Sequence, residues 1–222
     1  MKPAHNMLSV RKIAELIELG GENRQWYDHA WHEIRLVAAD EQWCPNRFAD
    51  ILALLSPRVS VVRNIRMALQ YMGDKTFFVD TVVTVRKAVK TYNKTGVIGG
   101  YKVPQFARAI KGDKHSVVLD SWMAKALFAT DDSNAIKQFR RKATMQVACD
   151  RITQASKMHE LAPRDGQACI WHAIIALHKA TPAKYSVLSE YRSWVNDYDR
   201  NFPASGPIDA SGILAGVGDS EF

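Results

Sequence analysis

Asp120 closes the apolar run Val117-Val118-Leu119 and precedes Ser121-Trp122, where a helical pattern begins. A carboxylate at that point has two uses. It can cap the helix by accepting hydrogen bonds from its first free N–H groups, worth about 1 kcal/mol. It can also stabilise a cation that develops on a bound substrate, an effect strengthened where an apolar wall excludes water. Trp122, two residues on, is placed to line a pocket for a flat ring, although six tryptophans in one chain also suit a helical core.

A second chemistry is offered by Gly96-Val97-Ile98-Gly99-Gly100-Tyr101-Lys102, ahead of a helix over 104–111. Glycines let the backbone approach a phosphate, and the N–H groups at the start of the next helix bind it. Gly96, Gly99 and Gly100 meet that need, and Lys94, Lys102 and Arg108 add positive charge. The plainer alternative is a glycine turn between packed helices. Arg58, after Leu54-Leu55-Ser56-Pro57, is a further candidate phosphate contact on a loop. His29 and His32 fall on adjacent helical turns, a spacing that can serve a metal, but no third ligand accompanies them, so no metal is expected. Cys44, Cys149 and Cys169 are odd in number and far apart, which argues against a disulfide framework and for a reducing compartment. They cannot supply the four thiolates of an iron–sulfur cluster, and are read as small buried apolar residues. No phosphate loop, Gly-x-Ser-x-Gly or dinucleotide fingerprint is present, and no cofactor is expected.

Formal net charge is +7 over 222 residues, with 47% hydrophobic and 24% charged residues. Between Arg86 and Lys114, eight basic residues accompany a single acid, Asp113. That concentration suits a polyanionic partner, nucleic acid first; the alternative, equally open from charge alone, is a solvated lysine-rich face. No stretch approaches about 18 consecutive apolar residues, so no membrane span is expected. The N-terminus does not read as a secretory signal.

The elements that must position these residues are helices. Apolar periodicity and breakers predict helices over 8–19, 23–40, 47–55 (capped by Asn46), 60–72, 79–92, 104–111, 121–129, 134–157, 165–178 and 186–198. The Val82–Val85 run can be read as a strand, but the periodicity continues through Val89 and the helix is preferred. The expectation is an all-α chain: one domain over 1–200 and a loosely packed tail, rich in Gly, Ser, Ala and Asp, over 201–222.

Three segments in order carry a family resemblance. They are Phe48 to Ser60 with its Leu-Leu-Ser turn, Gly96 to Lys102, and Ser116 to Trp122; Pro163-Arg164-Asp165-Gly166 follows downstream. Together, over 46–178, they resemble the helix-hairpin-helix DNA glycosylases. The sequence departs from that pattern at Thr95, where the family has leucine, and in its glycine spacing.

The resemblance implies two helical lobes around a cleft, with double-stranded DNA as partner. Asp120 would stabilise the cationic sugar formed as the N-glycosidic bond breaks, or activate the nucleophile. Lys102, eighteen residues earlier, takes the place of a lysine that attacks the sugar C1′ in glycosylases that also cut the backbone; the alternative is a phosphate-contacting lysine. Arg58 would fill the gap left by a flipped base, since the bond is shielded inside the duplex. The expected function is therefore base excision, by a monomer in the cytoplasm, at the nucleoid or in a virus-infected cell. Two alternatives stay open. One is a protein of the same fold that modifies a base without excising it, like the helical proteins of viral thymine hypermodification. The other is a DNA-binding module in which Asp120 only caps.

Overall fold

Ten α-helices and two 3₁₀ segments make up the computed structural model, which describes residues 7–178 and 186–201. No strand occurs among the described residues. The helices are α1 (Val10–Leu19), α2 (Trp26–Asp40), α3 (Pro45–Leu55), α4 (Val61–Asp74), α5 (Val83–Thr95), α6 (Lys102–Ile110), α7 (Ser121–Phe128), α8 (Lys142–Lys157), α9 (Pro163–His178) and α10 (Val187–Asn201). The expected tail lies, from 202 on, outside the described residues. No described helix is long and apolar enough to cross a membrane.

Local chemistry accounts for most boundaries. Ser9 and Ser60 cap α1 and α4 by accepting from Lys12 N and Arg63 N. Pro45, rather than Asn46, opens α3: its fixed φ suits the first helical turn and its missing N–H leaves nothing unpaired. The helix expected from 79 begins at Val83, because Thr81 N bonds back to Phe78 O in a turn that leaves Val79 almost wholly exposed. The single helix expected over 134–157 is two elements. A 3₁₀ segment, Ser133–Arg140, is separated from α8 by Arg141 in extended conformation.

The helices enclose two hydrophobic cores. The first gathers Ile34, Phe48, Ile51, Leu55, Leu69 and Ile110 from α2, α3, α4 and α6. The second gathers Ile13, Ile17, Met123, Leu127, Ile152 and Ile170 from α1, α7, α8 and α9. Burying each such side chain is worth roughly 1.5–3 kcal/mol. Helix α9 serves both: Ala168 belongs to the first core, Cys169 and Ile170 to the second. Its close packing is set by two glycines. A Cβ on Gly166 would meet Ser156 Oγ at 1.9 Å, and one on Gly20 would meet Cys169 O at 2.0 Å. The cysteines diverge from their expected uniform burial: Cys169 is buried, Cys149 half-buried and Cys44, next to the opening proline of α3, exposed.

Candidate functional site between the two cores

Asp120 sits where the buried run Val117-Val118-Leu119 delivers the chain into α7. Its Oδ1 accepts from Met123 N at 2.9 Å, the cap expected of this position. Its Oδ2 accepts from Trp171 Nε1 on α9 at 3.1 Å. The carboxylate is thus held from two helices, with both oxygens engaged. Its charge also reaches the Tyr27 phenol, whose pKa burial raises and Asp120 raises further.

A cavity of about 380 Å³ opens between the two cores, and Asp120, Lys102, Arg58 and Trp122 all line it. The volume falls in the range of small-molecule sites, about 300–1,000 Å³. Much of the wall is aromatic. Trp26 lies 4.8 Å from Tyr27 and 6.3 Å from Trp171, centroid to centroid, and Phe106 lies 6.4 Å from Tyr27. Trp122 holds its place edge-on to His178 at 5.6 Å, with Lys125 Nζ 5.0 Å from its ring centroid.

Arg58 occupies the turn after α3 in the left-handed region, φ 65°, with its side chain exposed. Such a conformation costs a non-glycine residue of order 1–3 kcal/mol and collects at functional sites. Lys102 is the first residue of α6 and partly buried. Neither forms an ion pair among the described residues.

The glycine hairpin joins α5 to α6. Gly96 ends α5 at φ 70° and Gly100 sits at φ 83°, conformations that favour glycine. Nothing lies within 4 Å of a Cβ placed on Gly96, Gly99 or Gly100, so the backbone there is open to a partner. The start of α6 has no side-chain cap. Lys94 is exposed in the last turn of α5, beside the hairpin. Arg108 is exposed too, but six residues along α6, about 9 Å from its start. It lies near Asp113, whose carboxyl pKa is lowered chiefly by its hydrogen bond from Ser116 and by the His115 N–H, with Arg108 contributing.

The basic run is not one surface. Lys111 Nζ bonds to the buried Asp50 at 2.7 Å, and Tyr92 donates to the other Asp50 oxygen at 2.8 Å. These bonds tie α5 and the end of α6 to α3. Arg86 donates to Phe78 O and Val79 O, and Lys114 lies 4.0 Å from Asp28. Lys87, Lys90, Lys94 and Arg108 carry the outward charge, and Lys102 stands partly buried at the cavity.

Sequence reasoning assigned no role to the buried polar groups in the cavity wall and behind it. Arg164 is fully buried, with its guanidinium bonded to Asp165 Oδ1 at 2.8 Å, Asp28 Oδ1 at 2.7 Å and Ala109 O at 3.3 Å, and set 5.5 Å from the Tyr27 ring centroid. It locks the first turn of α9 to α2 and α6. Tyr27 OH donates to Gln167 Oε1 at 2.8 Å. Asn64 and His172 also line the cavity. The signal was polar residues interrupting apolar stripes: Asn64 between Val61 and Ala68, and Gln167 and His172 among Ala168, Trp171 and Ile175. His29 and His32 acquire no further ligand: no group of three His, Cys, Asp or Glu side chains is placed to hold a metal among the described residues.

Neither the curated proteins nor the solved structures include a significant match to this chain. A protein-family model does match, over residues 5–179, which include α1 to α9 and every residue of the cavity named above. The chain therefore belongs to that family, described as a family of unknown function (DUF7178).

Proposed function

We propose that this chain is a DNA glycosylase-like enzyme, of helix-hairpin-helix type, that takes a base out of the duplex and cleaves its N-glycosidic bond. One observation carries the reading. Arg58, Lys102, Asp120 and Trp122, from three separated segments, converge on one cavity between two helical cores. The glycine hairpin with Lys94 would hold the phosphate backbone beside it, while Arg58 fills the vacated stack. The extruded base enters between the aromatic walls.

Because both Asp120 oxygens already accept hydrogen bonds, its role is through charge. It stabilises the sugar cation as the base leaves with the bonding electrons; water then adds to C1′ and the base takes up a proton. Lys102, which lines the same cavity, is the alternative nucleophile, and its amine attacks only when unprotonated. The aromatic walls limit water around the developing charge.

The test is mass spectrometry of duplexes carrying varied bases after incubation with the full chain. A free base in the supernatant is the expected result. A strand whose base has gained mass would replace excision with modification on the same scaffold, and unchanged strands across the panel would leave a binding module.

A further inference from the structure

His178, the last residue of α9, sets both ring nitrogens against acceptors. Nδ1 lies 2.8 Å from Ile174 O, one turn back, and Nε2 lies 2.5 Å from Asp131 Oδ1, on the segment that follows α7. A carbonyl oxygen has no proton to give, and neither has an ionised carboxylate. A neutral imidazole carries one N–H and completes one of these bonds; the imidazolium carries two and completes both. The two distances together therefore describe the charged ring. The same ring meets Trp122 of α7 edge-on, with centroids 5.6 Å apart and planes at 72°. Lys125, three residues further along α7, sets Nζ 5.0 Å from the indole centroid. Asp131 directly, and Lys125 through the shared indole, are the charged groups that these contacts bring to His178 from the elements packed on it. Trp122 in turn lines the cavity.

We infer that His178 is a positioning residue: its imidazolium, bonded to α9 and to the segment beyond α7, clamps Trp122 in the cavity wall, and loss of a ring proton loosens the clamp. What Trp122 does for an extruded base rests on the function proposed above; the clamp itself does not. The bonds give the sign. At the acid end both form. As pH rises the ring gives up a proton, and either the Ile174 carbonyl or the Asp131 carboxylate is left without its donor. An imidazole ordinarily changes charge between pH 5 and 8, so the wall is held at the lower end and released toward the upper. Where a wall orients a reacting group, a shift of about 1 Å can cost about a hundredfold in rate.

The experiment follows acrylamide quenching of Trp122 in the full chain between pH 5 and 8, taken as the fluorescence that Trp122→Phe removes. In the parent, quenching is expected to rise with pH by roughly two- to fivefold, the range that an exposed ion pair supplies. His178→Arg keeps a charged donor at every pH and is expected to hold quenching at the low level throughout. His178→Phe keeps an aromatic edge without either bond and is expected to hold it at the high level throughout. A purely structural histidine would give variants that are less stable, with no pH dependence in the parent for them to remove. A flat parent profile overturns the inference even where a variant fails to fold, as does a profile that persists in either variant. The expected quenching in a chain that releases no base from any duplex supports the clamp and overturns the glycosylase reading alone.

Discussion

Trp171 Nε1 donates to Asp120 Oδ2 across the gap between α9 and α7, at 3.1 Å. The bond fixes the carboxylate while the other oxygen caps α7. Trp171→Phe keeps most of the aromatic wall and removes only the donor. It is expected to slow base release about tenfold with a stability loss of about 1 kcal/mol, typical of one hydrogen bond. Single-turnover rates and denaturant melts of the same preparation check both; an unchanged rate would disconnect Trp171 from the chemistry.

The four exposed basic residues and Lys102 define a salt-dependence test. Each phosphate contact contributes about 0.9 to the slope of log affinity against log salt. Replacing Lys94, Lys102 and Arg108 together by Gln is expected to reduce that slope by about 2 to 3. Lys12, paired with Glu15 on the exposed face of α1, serves as control, and Lys12→Gln is expected to leave it unchanged. Equal slopes for the triple variant and the parent would move the DNA surface elsewhere.

Arg164 is fully buried, and its carboxylate partner Asp165 is 7% exposed. Removing one member of a buried pair strands the other, at a cost of about 3–5 kcal/mol. Arg164→Met is expected to lower stability by that order, read from urea midpoints. A loss under about 1 kcal/mol would show that Arg164, which reaches Asp28 of α2, is not what holds α9 against α2.

Stability should also carry the mark of His172. Its folded-state value of about 4 lies below the 6.5 of an unperturbed imidazole because burial disfavours the charged form. Between those values the unfolded chain binds more protons than the folded one, so stability falls as pH drops from about 6.5 toward 4 and is untouched above. Between pH 7 and 5 the native chain is expected to lose roughly 1–2 kcal/mol more than His172→Phe. Parallel losses in the two proteins would mean that this imidazole is not buried uncharged.

Helical content was legible in the sequence because apolar spacing and breakers act locally. Asp120 reads as a possible cap from its position before a periodic run, and it is one; Ser60, which reads as the first residue of its helix, is instead the cap. The misplaced start of α5 and the break at Arg141 depend on turns that periodicity does not encode. At the site, Arg58, Lys102, Asp120 and Trp122 were nameable from motif order, and the structure sets them on one cavity. Arg108 was grouped with the hairpin, but helical rise carries it away from the turn. Asn64, His172 and Arg164 were given no role because their importance lies in what surrounds them: two atoms without partners and one cation with three. Long-range packing alone decides that.

The most direct test is to follow Asp120→Asn beside the parent chain on one duplex that the parent processes, measuring base release and duplex affinity together. Asparagine caps a helix about as well as aspartate, but its single carboxamide oxygen cannot serve both Met123 N and Trp171 Nε1, so a stability loss near 1 kcal/mol is expected. The lost charge is expected to slow release about 100- to 1000-fold. Duplex affinity should hold or rise, since a negative charge near the phosphates has gone. A folded variant that binds the duplex and releases base at the parent's rate would contradict the assignment of Asp120, and with it the account of the cavity as a catalytic site.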